Sequence, residues 1–318
     1  MEITKPVLLS GIKPTGDLHL GNYFGAIKQQ VELLNSGDYE CLIMVADYHA
    51  LNFIQNREQM KKGIRELATG YIAAGLDPEK LTLFKQSDVS AHTELAWIFE
   101  TITTMPYLMR AHAFKDAEAK DKEISVGTFN YPMLMAADIL LYNTNIVPVG
   151  QDQKQHIEYA RDTAEKFNRI FSETFVLPEP MIIEEVAVVP GTDGQKMSKS
   201  YGNTIPLFGS SEDVAKAVMS IVTGSGTDRP ENVYKIHRLL KKDSELEPLY
   251  SEHAGKYKTL KEALIDDLEK LISPMRAKYL ELQENPTYID EVLERGAQTA
   301  RTTANKKMGQ VRKAIGVA

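Results

Sequence analysis

Pro6-Val-Leu-Leu-Ser10-Gly11-Ile-Lys13-Pro14-Thr15-Gly16-Asp-Leu-His19-Leu20-Gly21-Asn22 joins a short apolar run to glycine and proline punctuation, and then to a helix that starts near Leu20. Tyr23, Phe24, Ile27, Val31 and Leu34 mark the buried face of that helix, and Asn35-Ser36-Gly37 stops it. A glycine-rich turn between a strand and a helix N-terminus is a ready place for phosphate or ribose oxygens. His19 supplies a donor there, and Gly21 lets a nucleotide approach the backbone. The spacing is neither that of a Walker A loop nor that of a Gly-x-Gly-x-x-Gly turn.

The same strand-then-helix alternation fills the first two-thirds of the chain. Val7–Ser10, Cys41–Ala46, Leu81–Lys85, Ile146–Val149 and Val186–Val189 read as strands, and the intervals are helical, including Arg57–Ala74 and Gln153–Phe171. Near-continuous apolar strands alternating with helices predict an α/β fold, a Rossmann-like doubly wound parallel sheet covered on both faces. Ligands of such sheets sit at the carboxyl ends of the strands. After Tyr201 the strand signals fade. From Ser211 the pattern is helical, broken around Gly224-Ser-Gly226, Arg229-Pro230, Ser273-Pro274 and Asn285-Pro286. The expected division is a catalytic domain over 1–203, a C-terminal all-helical domain over 204–288, and a helix over 289–318 that packs back on the body.

With 318 residues and 43% hydrophobic content, the chain has ample material for one or two cores. Its one cysteine, Cys41, lies in an apolar run and reads as a buried thiol, so neither a disulfide nor a cysteine-held iron–sulfur cluster is available. No signal-peptide pattern and no apolar run near the roughly 20 residues of a membrane span occur, which predicts a cytoplasmic protein without a membrane partner. A net charge of −7 argues against a generally basic nucleic-acid surface. The tail from Arg301, with Lys306, Lys307, Arg312 and Lys313, reads equally as a local RNA-binding patch and as a solvated helix face.

A second glycine-rich stretch, Pro190-Gly-Thr-Asp-Gly-Gln-Lys196-Met197-Ser198-Lys199-Ser200-Tyr-Gly-Asn203, follows the last apolar run. Its glycines free a loop to move, and Lys196 and Lys199 give it charge suited to a polyphosphate. Together the two stretches resemble the paired ATP-binding signatures of class I aminoacyl-tRNA synthetases. His19-Leu-Gly-Asn22 stands in place of His-Ile-Gly-His, and Lys196–Ser200 matches Lys-Met-Ser-Lys-Ser without a change. They occur in the family's order, about 175 residues apart.

Between them, Tyr131-Pro132-Met-Leu-Met-Ala-Ala-Asp138-Ile-Leu-Leu-Tyr142 reads as a helix with Pro132 in its first turn. Asp138 shares an apolar stripe with Tyr131, Leu134, Met135, Leu141 and Tyr142. A carboxylate there is costly unless a donor meets it. Two readings stay open: an Asp bonded to a neighbour, or a specificity carboxylate for a ligand N–H or O–H. In Val149-Gly150-Gln151-Asp152-Gln153-Lys-Gln-His156, Asp152 reads either as an N-cap or as a ribose ligand. His49, after the second strand, reads either as structural or as part of the same cleft.

These stretches are similar to the tryptophanyl branch of the family rather than the tyrosyl branch, along nearly the whole chain. The resemblance implies that Asp138 accepts the indole N–H, that Tyr131 and Gln153 meet the amino group, and that Leu9, Gly11 and His49 border the tryptophan. It implies that Lys13, Pro14, Thr15, Gly21, Asn22, Gly150, Gln151 and Asp152, with Lys196 to Ser200, line ATP. Lys196, Lys199 and His19 would act in catalysis, and a lysine within 114–124, with Lys115 as candidate, would touch phosphate. Mg2+ would come with ATP, with no dedicated protein metal site. The partners implied are ATP, L-tryptophan and tRNA(Trp), bound by a homodimer whose helical domain reads the anticodon. Rival readings are a tyrosyl enzyme, a small nucleotidyltransferase and a non-catalytic paralogue. The motifs are intact and the helical region is present, which counts against the last two.

Overall fold

In a computed structural model of the chain, residues 5–14, 17–119, 123–150, 154–182, 189–223 and 229–318 are described, with the backbone alone for Asn35, His112, Ala113, Asp116 and Ala117. Five parallel strands form the sheet: β1 Val7–Ile12, β2 Glu40–Val45, β3 Thr82–Lys85, β4 Ile146–Val149 and β5 Glu179–Ile182. Their order is β3-β2-β1-β4-β5, with β1 and β2 in register from Val7–Glu40 to Ile12–Val45. The strand order reverses between β1 and β4, and the crevice there is the ligand position of this architecture.

The fifth strand differs from expectation. Val186–Val188 lie outside the described residues, and Val189 is buried but belongs to no strand. The strand that pairs with β4 is Glu179-Pro-Met-Ile182. Pro180 cannot donate to a ladder, a loss an edge strand tolerates. The proline conceals the strand from a reading based on apolar runs.

The helices follow in order. Helix α1 runs as α-helix over Leu20–Asn22, widens to a π-turn over Tyr23–Ile27, and resumes over Lys28–Ser36, where Gly37 closes it in the left-handed conformation at φ 70°. Next come α2 Asp47–Ala50, α3 Arg57–Ala73, α4 Ala91–Ile102, α5 Met105–Leu108 and α6 His112–Ala119. Helix α7 spans Val126–Leu140 and α8 spans Lys154–Ile170. Ser125 caps α7 by accepting from the Thr128 N–H at 3.1 Å, so Pro132 stands inside the helix and not in its first turn.

Strand residues alternate between two cores. Leu8, Ile43, Val45 and Leu83 pack with Phe24 and Ile27 of α1 and Leu67 and Tyr71 of α3. Leu9, Leu42, Met44 and Phe84 pack with Leu95 and Phe99 of α4, Met133 of α7 and Ile157 of α8. Both faces of the sheet are thus covered, and Cys41 is a buried free thiol.

The first core continues into the C-terminal helices α9 Ser211–Met219, α10 Glu231–His237, α11 Asp243–Glu252 and α12 Tyr257–Glu284. The expected break at Ser273-Pro274 is absent, because α12 runs through Pro274. Leu268, Ile272 and Met275 are buried on both sides of it, and that burial outweighs one lost helical hydrogen bond. Asn285-Pro286 does end the helix. Gly224 to Gly226 lie outside the described residues.

The last helix, α13 Pro286–Ala314, starts three residues before the expected Ile289. Its first turns join one core through Val292 and Leu293, and Ala297 to Val311 join the other. It therefore straddles and shields the edge strand β3. A Cβ on Gly296 would come within 1.8 Å of the Leu83 carbonyl oxygen, so only glycine fits where the helix crosses the strand. The basic tail is largely engaged inside the molecule. Arg301 pairs with Glu294 at 2.8 Å, Lys307 donates to the Thr174 carbonyl at 2.7 Å, and Arg312 donates to Glu94 at 2.7 Å. Each of these three cations thus has a partner within the chain. Among the described residues no helix is long and apolar enough to cross a membrane.

Candidate active site

A cavity of about 630 Å³ opens at the carboxyl ends of β1 and β4. Leu9, Gly11, Lys13, Gly21, His49, Tyr131, Asp138, Gly150, Lys196 and Met197 all line it. Ten of the residues singled out in the sequence thus surround one space, drawn from both signatures and from α7. Thr15, Gln151, Asp152 and Gln153 lie outside the described residues. Lys115 is exposed on α6 and does not line the cavity.

The two signatures meet through main-chain hydrogen bonds. The Leu20 N–H donates to the Ile205 carbonyl at 3.0 Å, and the Leu207 N–H donates to the Leu18 carbonyl at 3.0 Å. The Gly21 N–H points at Met197 Sδ, 3.3 Å away. The chain leaving the lysine loop is thereby paired to the start of α1, and the loop stands over that helix's first turn. Asn22 acts locally, its Oδ1 accepting from the His19 N–H at 3.0 Å. Pro14 is buried behind the cavity, its carbonyl oxygen 2.6 Å from where a Cβ of Gly63 would lie.

His19 is buried, and its Nδ1 has no hydrogen-bond partner. Burial, and then the charge of Lys199, lower its pKa to about 4. At neutral pH the ring is uncharged, so it offers a hydrogen bond and no cation. Partial burial lowers the Lys199 pKa, against the opposing pull of Asp17 and Glu66. Ser198 and Ser200 bond each other through their hydroxyls at 2.9 Å. These residues and Lys199 flank the cavity without lining it.

Asp138 sits at the floor, 2% exposed. Gln86 Nε2 donates to Oδ1 at 2.8 Å and reaches Oδ2 at 3.0 Å. His49 Nε2 lies 2.8 Å from Oδ2. His92 Nδ1 approaches Oδ1 to 2.6 Å, less straight than a good hydrogen bond, while its Nε2 meets the Tyr142 hydroxyl at 2.8 Å. Burial alone would raise the carboxyl's pKa. The hydrogen bond from His49, with the charge and contact of His92, outweighs it and holds Asp138 well below the usual carboxylate range. The group is an anion at neutral pH.

Gln86 was not legible as a site residue, although it directly follows β3 at its carboxyl end. Its Oε1 accepts from the Tyr48 N–H at 3.1 Å and the His49 N–H at 3.3 Å, so one side chain ties the carboxylate to the turn after β2. His92 gave no signal beyond a lone histidine in an apolar helix. Tyr131 bonds His156 Nε2 through its hydroxyl at 2.8 Å, and burial followed by Tyr159 pushes its pKa up to about 12. Gly11 serves packing as well as the cavity, since a Cβ there would lie 2.7 Å from the Met44 carbonyl oxygen of β2. Among the described residues no group of three His, Cys, Asp or Glu side chains could hold a metal ion.

An anionic acceptor at the floor of an apolar cavity, with two lysines and backbone donors at its mouth, suits two ligands held end to end. The profile of the family described as tRNA synthetases class I (W and Y) matches residues 2–284. A tryptophan–tRNA ligase of Fusobacterium nucleatum is 43% identical, over 97% of this chain and 97% of its own. The crystal structure of tryptophanyl-tRNA synthetase from Campylobacter jejuni complexed with ADP and tryptophan superposes with a TM-score of 0.90 at 43% identity, covering 97% of this chain and 99% of that one. A tyrosyl-tRNA synthetase of Archaeoglobus fulgidus, at 22% identity and TM-score 0.64 over 87% of this chain and 91% of its own, shares the fold. By sequence profile and by relatives matched over nearly their full length, the chain belongs to the class I tRNA synthetases of the tryptophan and tyrosine branch.

Proposed function

We propose that the chain is a tryptophan–tRNA ligase: it activates L-tryptophan with ATP and passes it to tRNA(Trp). The observation that carries this reading is a cavity bordered by Gly21 and Lys196 at its mouth and by the buried anion of Asp138 at its floor. Tryptophan has one side-chain donor, the indole N–H, and an acceptor fixed at the end of an apolar space selects for it.

In the first step a carboxylate oxygen of tryptophan bonds to the α-phosphorus of ATP as the bond to pyrophosphate breaks. The attacking group is already an anion, so no protein nucleophile is called for. The protein's part is to hold two reactants in line and to stabilise charge on the departing pyrophosphate. Lys196 and Lys199 supply that charge, and neutral His19 supplies a hydrogen bond beside it. In the second step a hydroxyl of the terminal tRNA ribose attacks the activated carbonyl and AMP leaves. Mg2+ is brought by ATP and neutralises part of the triphosphate charge.

Residues 1–203 form the catalytic part in this reading, 204–288 the anticodon-reading part, and the helix from 289 closes onto the body. The working protein is a cytoplasmic homodimer. Its support is an apolar surface around α4, α5 and α7, where Trp97 is 67% exposed, Met105 68% and Val126 73%. Glu100 of α4 bonds Asn130 of α7, and Trp97 and Val126 stand one turn earlier on those helices. Patches of this kind mark protein interfaces.

The test of function is amino-acid-dependent ATP–pyrophosphate exchange, scanned across the amino acids. Exchange with tryptophan and little with tyrosine or phenylalanine is expected. Equal exchange with tyrosine would overturn the assignment.

A further inference from the structure

The loop that carries the two lysines is held by a residue outside the Lys-Met-Ser-Lys-Ser string. Asn203 is 2% exposed and turns its carboxamide into the loop. Its Nδ2 donates to Asp193 Oδ1 at 2.7 Å and to the Lys196 carbonyl at 3.2 Å. Its Oδ1 accepts from the Ser198 N–H at 2.8 Å, and its main-chain carbonyl accepts from the Thr192 N–H at 2.9 Å. A Cβ on Gly191 would fall 2.3 Å from the carboxamide, so glycine at that position makes room for it. Gly202, at φ 64°, turns the chain so that Asn203 can reach back.

The side-chain partners are placed with purpose. Asp193 is at the hairpin tip, the Lys196 carbonyl belongs to the first lysine, and the Ser198 N–H immediately precedes the second. Two donor hydrogens and an acceptor on one rigid plane are what a carboxamide offers; a carboxylate lacks the donors and a hydroxyl has one. Without this group, the loop is tied across mainly by its hairpin bonds, Gly191 N–H to Gln195 O and Met197 N–H to Val189 O. Lys199 would then lose its fixed position relative to Lys196. The loop's far side is tied to the helical region, because the Val222 N–H donates to the Thr192 carbonyl at 2.7 Å and Asn232 Nδ2 donates to the Val222 carbonyl at 2.9 Å. Asn203 adds side-chain bonds to the hairpin bonds that join the lysine-bearing segment to that anchored stretch.

We infer that Asn203 is a positioning residue for adenylate formation: it makes residues 191–203 one rigid piece, so that Lys196 and Lys199 arrive at the pyrophosphate together. The inference rests on the activation reaction proposed above. A preformed loop needs no reorganisation as charge develops, so the gain falls on the transition state and not on ATP binding.

The test uses the full chain with ATP, Mg2+ and tryptophan, in single-turnover adenylate formation, at a temperature where circular dichroism shows every variant folded. Asn203→Ala is expected to lower the saturated rate roughly 10²-fold, the scale of a misplaced catalytic group, with the ATP dissociation constant within about threefold of the parent. Asn203→Asp sets two carboxylates against each other and should be at least as slow. Adding Asp193→Asn to it restores a donor–acceptor pair and should recover about tenfold. A saturated rate within about twofold of the parent for Asn203→Ala, a loss confined to ATP affinity, or no recovery in the double variant overturns the inference. Parent protein that fails to exchange with tryptophan would overturn the functional reading and this inference with it; parent exchange with an unaffected Asn203→Ala overturns the inference alone.

Discussion

His49 Nε2 stands 2.8 Å from Asp138 Oδ2, and of the three side chains that crowd this carboxylate only His49 lines the cavity. Gln86 and His92 are fully buried behind it. Their contacts and that of His49 occupy both oxygens, and a carboxylate accepts about four hydrogen bonds in all. His49 is the one of these donors on the cavity side, and an incoming indole N–H is expected to take its place at Oδ2. His49→Ala should lower the melting temperature, since a buried charged acceptor loses a bond worth about 1.5–3 kcal/mol. Tryptophan should then restore more stability to the variant than to the parent. Melting curves with and without tryptophan measure both, and equal ligand-induced shifts would show that His49 stays in place.

Removing the acceptor itself should weaken discrimination between tryptophan and phenylalanine. Asp138→Ala is expected to cost roughly 2–4 kcal/mol in kcat/KM for tryptophan, through a lost charged hydrogen bond and a cavity. Phenylalanine, which offers Asp138 no donor, should lose less or gain. Exchange kinetics with both amino acids decide the matter. Equal losses with a lowered melting temperature would make Asp138 a structural carboxylate.

Lys199→Ala should slow adenylate formation by about 10²–10³ while leaving ATP affinity nearly intact, as for other donors that act on developing charge. The motive is its place on a hinged loop over the first turn of α1. An unchanged rate with a raised dissociation constant would reduce the loop to a clamp.

The His19 pKa lies near 4 in the folded chain, below its usual value near 6.5 in the unfolded one. Between those values the unfolded chain binds the extra proton, so stability rises with pH there. His237, whose pKa burial also lowers, acts in the same direction. The contribution is complete above about pH 6.5 and is lost as pH falls toward 4. Calorimetry should show a melting temperature flat above neutrality and falling below it, with a shallower fall in His19→Gln. Parallel slopes would remove His19 from the account.

Gly296→Ala tests how α13 is seated. With the Leu83 carbonyl 1.8 Å from the new Cβ, the helix must lift from β3. Overpacking of this kind costs about 1–3 kcal/mol, and denaturant melts read it directly. Trp97→Asp tests the dimer proposed above: sedimentation of the variant as a 35.6 kDa monomer without loss of fold is the expected result.

The sequence by itself determined four of the sheet's five strands, the two signature strings and the family, because each of these is local. A strand's apolar run, a glycine turn and the Lys-Met-Ser-Lys-Ser string are contiguous, and period and spacing carry them. It also placed Asp138 on a buried helical stripe. What it left open is whatever depends on partners distant in the chain. Gln86 and His92 meet Asp138 from 52 and 46 positions away, and nothing local marks either as its neighbour. The fifth strand was hidden by Pro180, which only an edge position excuses. Pro274 signalled a break that burial on both sides overrode. The basic tail looked available until Glu94, Glu294 and the Thr174 carbonyl took up its charges. Hydrogen bonds and ion pairs are satisfied in space, so composition and period can say that a polar group needs a partner while the fold alone decides which one it gets.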